Sequence, residues 1–199
     1  INLLSNTRSI STYTLIFLEG MFIIGSFSYL GAYISETFHF NYLSIGAIMT
    51  AFGFMSLVGG RLGGKLVGKT GPRALLTVGL CFAVIADLLI FAAGHILGAL
   101  IIGIALLGLG FIFAHSTLLA RATEFAATAR GAAMSLVALC FMGGGGIGTA
   151  LGGKIAAVYG FSTFFLIYGC FLAATLALSF FLIKTQSVSA LPAVEADMP

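Results

Sequence analysis

Charge is scarce in this chain: 8% of its 199 residues are Asp, Glu, Lys or Arg, while 60% are apolar. A soluble domain carries about a quarter charged residues and roughly half apolar ones. A surface so poor in charge would not hold the chain in solution, which argues against a soluble enzyme, a nucleic-acid binder and a disordered tail. Cysteine is also sparse. Cys81, Cys140 and Cys170 lie singly inside apolar runs with no His or Cys companion, so they read as small packing residues. There is no Walker loop, no His/Cys metal cluster and no nucleophile–base arrangement. The chemistry of an ATP-driven pump or a membrane hydrolase is therefore missing, and neither an enzyme, a metal nor a cofactor is expected. The chain opens on Ile1 and not on Met, so a longer protein is expected around it.

Long apolar runs are what the chain has in abundance. Lipid offers no partner to free backbone groups, so a span needs about 20 predominantly apolar residues in one helix. Six runs qualify, at 11–34, 44–66, 74–93, 96–119, 132–158 and 162–183. The first is too long for the apolar core of a signal peptide and has no small-residue cleavage pattern after it. The expected fold class is an all-α membrane protein with six transmembrane helices. Residues 1–183 form the bundle, and the polar stretch 184–199 forms a disordered cytoplasmic tail. The breaks are short, and Gly94-His95 forces the third and fourth runs into a tight hairpin. With a cytoplasmic start, Arg8, Lys65, Lys69, Arg73, Arg121, Arg130 and Lys184 all fall on the cytoplasmic side and Lys154 on the other. Basic residues favour the cytoplasmic face, so both ends are expected there, in a multi-pass protein of the cell membrane.

The segment between the second and third runs reads Gly64-Lys65-Leu66-Val67-Gly68-Lys69-Thr70-Gly71-Pro72-Arg73. It resembles the signature loop of the major facilitator superfamily, G-x-L-a-D-[RK]-x-G-[RK]-[RK], through Gly64, Leu66, Lys69, Gly71 and Arg73. Gly68 stands in place of the family's aspartate and Pro72 in place of a basic residue. The fifth run carries Gly144-x-x-x-Gly148-Thr149-x-x-Gly152-Gly153, similar to the G-x-x-x-G-P-x-x-G-G pattern of the family's antiporters, with Thr149 at the proline position. The segment 160–164 is similar to the family's aromatic lead-in to the next helix. The resemblance covers nearly the whole chain through span count, loop placement and these three segments. Two degenerate motifs, no arginine in the fourth run and a short polar tail resemble the family's second six-helix half. The resemblance implies two inverted three-helix repeats, alternating access around a midplane site and a partner N-terminal half. Without the aspartate, Lys69 and Arg73 are left to hold the loop against anionic lipid.

Glycine is abundant, at 27 residues, about twice the usual share. Spacings of four, as in Gly60-Gly64-Gly68 and Gly144-Gly148-Gly152, put small residues on one helix face and let backbones approach closely. Packing inside this bundle and sliding against the partner half are both open readings of those faces, and the run 143–146 is a candidate bending point.

An ionisable side chain at membrane depth costs at least about 2.5 kcal/mol, so each one needs a reason. Thr12, Glu19, Ser26 and Tyr33 recur every seven residues and share one helical face of the first run. The resemblance places this helix, and the fourth, along the central cavity. Glu19 is the candidate proton- or cation-binding group, with Ser26 on its face and Tyr29 and Tyr33 as aromatic or hydroxyl contacts; a structural hydrogen bond is the alternative. His115, near the cytoplasmic end of the fourth run, is a candidate gate or proton relay. Asp87 lies among apolar neighbours in a helix that the resemblance puts in the outer layer, which favours a buried hydrogen bond. The expected activity is proton-coupled efflux of a small amphipathic or apolar solute by an antiporter. A sugar or organic-acid symporter and a non-transporting scaffold on the same fold are the alternatives. The expected partners are that solute, protons, the lipid bilayer and the missing N-terminal half, with no nucleic acid.

Overall fold

A computed structural model describes residues 7–124 and 129–183. The expected tail 184–199 lies outside the described residues, as does part of the segment joining the fourth and fifth runs. Every regular element described is helical. The first span comprises α1 (Thr7–Glu19), a π-helical turn (Gly20–Ile24) and α2 (Gly25–Phe38), followed by α3 (Tyr42–Thr70), α4 (Pro72–Ala93), α5 (Leu97–Glu124) and α6 (Arg130–Leu182). Five helices among the described residues are long and apolar enough to cross a membrane.

The last of them, α6, runs for 53 residues, so a straight helix would be about 80 Å long, far beyond a hydrocarbon core of about 30 Å. Its one non-helical position is Gly160, with φ 79° and ψ 163°. The sequence places a break at 159–161, and a single residue makes it. The run 143–146, by contrast, stays helical.

Local chemistry sets the other boundaries. His39 leaves α2 with φ 54°, and Asn41 caps α3 by accepting the Ser44 amide at 2.9 Å. The expected loop after residue 66 is narrower than its composition suggests, because α3 stays helical through Thr70. Gly71 alone makes the turn, with φ 80° and ψ 160°, and Pro72 opens α4 at the position where its missing N–H costs nothing. This backbone region is almost closed to residues with a Cβ, at about 1–3 kcal/mol. Gly71→Val and Gly160→Val should each lower the stability of the intact protein by about that amount. Thermal unfolding of the detergent-purified protein checks this, with Gly64→Val, at an exposed helical site with open space around it, as the reference.

Gly94 and His95 link α4 to α5 as an interlocked hairpin. A Cβ on Gly79 would press on the Gly110 carbonyl at 2.9 Å, and one on Gly110 on the Gly79 carbonyl at 2.7 Å. Packing forms two apolar clusters. One gathers Leu15, Ile16, Leu76, Leu80, Leu118 and Val137. The other gathers Ile23, Leu30, Ile90, Ile104, Phe165 and Leu172. Along the first span they adjoin on either side of Glu19.

Candidate functional site

Glu19 is the last residue of α1, and its side chain is 0% exposed. Its Oε2 lies 3.2 Å from Nδ1 of His115 on α5. A neutral imidazole can donate its Nδ1–H to the carboxylate, or the protonated carboxyl can donate to Nδ1, so the pair can share one proton in two arrangements. Oε1 has no hydrogen-bond partner among the described residues. His115 is the wetter member, 20% exposed, and its ring lies against Phe111 (centroids 5.2 Å apart) and Phe141 (4.5 Å). Two aromatic walls thus fix the imidazole, one edge of which meets a buried carboxyl.

The π-helical turn begins at the residue after Glu19. A π turn adds one residue, which rotates the rest of the span by about 100° relative to an uninterrupted α-helix. The seven-residue stripe is buried at all four positions, Thr12, Glu19, Ser26 and Tyr33. Its members meet different neighbours, however, and do not line one cavity. Glu19 meets His115 on α5, whereas Ser26 Oγ donates to Oδ2 of Asp87 on α4 at 2.7 Å. The Tyr29 hydroxyl donates to the Thr149 carbonyl on α6 at 2.7 Å, and the Ser28 and Thr149 hydroxyls lie 3.1 Å apart. The Tyr33 ring packs edge-on against Phe165 at 5.4 Å. The structure therefore brings Glu19 and His115 together and sends Ser26, Tyr29 and Tyr33 to separate partners.

The glycine rows divide in the same way. Gly144 and Gly148 of α6 lie against the Phe17 and Met21 carbonyls of the first span, and Gly152 lies against the Phe164, Tyr168 and Tyr29 rings. Gly153 sits at the Tyr29 hydroxyl, and Tyr168 donates its hydroxyl to the Gly148 carbonyl. This row packs inside the bundle. The row on α3 looks outward: Gly60, Gly64 and Gly68 are exposed, and a Cβ on either of the last two would meet nothing within 4 Å. In the signature segment, Gly64, Leu66 and Lys69 lie on the exposed end of α3. Arg73 turns back onto α6, donating to the Phe180 carbonyl at 3.2 Å with its guanidinium 5.8 Å from the Phe180 ring centre. A protein contact therefore holds Arg73, where lipid alone was expected. Phe111 and Phe141 had no signal in the sequence, since nothing in their spacing announces a shared histidine.

Among the described residues, no group of three or more His, Cys, Asp or Glu is placed to hold a metal ion. The sequence profile described as Major Facilitator Superfamily matches residues 12–197. A curated relative, solute carrier family 22 member 18 of Rattus norvegicus, is 32% identical over 162 residues, which cover 76% of this chain and 37% of the relative. The chain thus spans little more than a third of the length of the relative it matches.

Proposed function

This chain belongs to the major facilitator superfamily, a family of multi-pass membrane transporters, and from that we propose that it is the C-terminal half of a proton-coupled exporter of small amphipathic or apolar solutes. The observation that carries this reading is the Glu19–His115 pair, a fully buried carboxyl hydrogen-bonded to a partly exposed imidazole. Such a pair can take a proton from water at His115 and hold it on Glu19 out of contact with bulk water. The glycines of the antiporter-like segment and the 19 phenylalanines suit an apolar solute and exchange. The rat relative is named a solute carrier, which agrees with movement of a solute.

Six spans are proposed, with α6 supplying two of them on either side of Gly160. Gly71 and Gly160 support an inverted repeat. They stand between the second and third spans and between the fifth and sixth, and share one rare backbone conformation, φ 80° and ψ 160° against φ 79° and ψ 163°. The outward Gly60-Gly64-Gly68 row, with exposed Phe54, Leu57 and Leu62 on the same helix, is the surface offered to the N-terminal half. Both ends are placed in the cytoplasm of a cell-membrane protein, on the asymmetry of basic residues.

The test is flux of a fluorescent amphipathic solute out of cells expressing the intact protein, read at several external pH values. Export should rise as the outside is acidified. Export that is the same at every pH would remove proton coupling and leave a facilitator, and no export of any solute would favour a scaffold.

A further inference from the structure

Asp87 is a second fully buried carboxyl, about two-thirds of the way along α4, with 0% exposure. One oxygen accepts the Ser26 hydroxyl at 2.7 Å, and Oδ1 has no hydrogen-bond partner among the described residues. Among the described residues, Ser26 is the side-chain donor to Asp87 and no cation offsets its charge. From α5 the facing stretch is 103–110, where Gly103 adjoins Ile90 and Ala86 and Gly110 adjoins Ala83, and it contains no titratable side chain. From α6, Gly169 sits against the Asp87 Cβ at 3.3 Å, and the Tyr168 ring lies against Gly25, the neighbour of Ser26. From the first span comes Ser26. The glycine contact between α3 and α4 lies at Gly63 and Leu75, about three turns away. An ionised carboxyl in such a place would carry the cost of a buried, unpaired charge. A hydrogen bond alone needs no carboxyl, because Asn or Ser could accept from Ser26 at a lower insertion cost.

Tyr168 also forms part of the wall of a cavity of about 300 Å³, with Met21, Phe22, Leu151, Lys154 and Phe171. Gly169, the next residue in the chain, touches Asp87, so the carboxyl and the cavity wall meet on one stretch of α6. We propose that Asp87, held by Ser26, is a second proton-binding site, reached from this cavity past Tyr168 and independent of the Glu19–His115 pair. Ser26 keeps one carboxyl oxygen in place while the other exchanges a proton with water entering the cavity. The proposal shares with the functional reading only the premise that protons enter this bundle. Binding a proton at Asp87 is distinct from exchanging one for solute, which rests on Glu19 alone.

Infrared difference spectroscopy of the intact protein in lipid, stepped in pH in H₂O and D₂O, tests this directly. A protonated carboxyl gives a C=O band that disappears on ionisation, and among the bands that titrate in the wild type two should belong to these buried carboxyls. Asp87→Asn should remove one and Glu19→Gln the other. A folded Asp87→Asn protein whose difference spectrum superimposes on that of the wild type would overturn the proposal. A Glu19→Gln spectrum unchanged from wild type would instead count against the Glu19 reading, leaving the Asp87 band to be judged separately. Ser26→Ala keeps the carboxyl and removes its donor, so it serves if Asp87→Asn does not fold. It should move the midpoint of one band by about one pH unit, and unmoved midpoints would overturn the proposal equally.

Discussion

Gly148→Ala is expected to destabilise the intact protein by about 2–3 kcal/mol or more, with a matching fall in abundance. A Cβ at this position would overlap the Met21 carbonyl of the first span. The neighbouring contact is of the same kind, because a Cβ on Gly144 would overlap the Phe17 carbonyl. A backbone atom cannot turn away as a side chain does, so the helices must separate, and inserting one methyl into a tight interface costs about 1–3 kcal/mol even where side chains can move. Separation would also disturb the Glu19–His115 pair, because Gly20, beside Glu19, lies against the Phe141 carbonyl of the same α6. Gly143→Ala and Gly146→Ala are the internal controls, since a Cβ on either meets nothing within 4 Å. Monodispersity and thermal unfolding of detergent-purified variants distinguish the outcomes. If Gly148→Ala behaved like Gly146→Ala, the close approach of α6 to the first span would be wrong.

Glu19→Gln should abolish proton-driven accumulation while leaving downhill exchange of solute. One proton exchanged per neutral solute lets a gradient of one pH unit hold about a tenfold solute gradient, since each unit carries about 1.4 kcal/mol at clamped membrane potential. Glutamine matches glutamate in size and can still meet His115, but it has no proton to release. The pH-supported solute gradient is therefore expected to fall from about tenfold per unit to none. His115→Phe should retain packing against Phe111 and Phe141 while removing the exposed end of the pair. Its gradient should still form, but more slowly. Accumulation in vesicles against imposed pH gradients gives both numbers, with purified yield checking that the variants fold.

The positions of the apolar helices are legible in the sequence because lipid imposes length and hydropathy together, and few segments satisfy both. The turns at Gly71 and at Gly94-His95 are legible for a similar reason, since glycine, proline and polar residues interrupt otherwise apolar runs. The π-helical turn after Glu19 is not. It lies where Gly144, Gly145 and Gly148 of α6 pack against the first span, a contact made more than a hundred residues away in sequence. A regular helix predicts one polar face for Glu19 and Ser26, and the turn sends them to α5 and α4 instead. Glu19 stands out in the sequence because a carboxyl in a span is expensive. Its partner does not, because the 96 residues separating it from His115 leave no local pattern to read. Arg73 shows the same limit: position suggests lipid, whereas its partner is a carbonyl at the end of α6.

The most direct measurement is proton movement by the intact protein reconstituted in liposomes that carry a pH-sensitive dye inside. A gradient of an amphipathic solute is imposed with the membrane potential clamped. Wild-type protein should move protons opposite to the solute, and Glu19→Gln should move solute without a change in internal pH. Proton movement of equal size in wild type and Glu19→Gln would contradict the assignment of coupling to the Glu19–His115 pair.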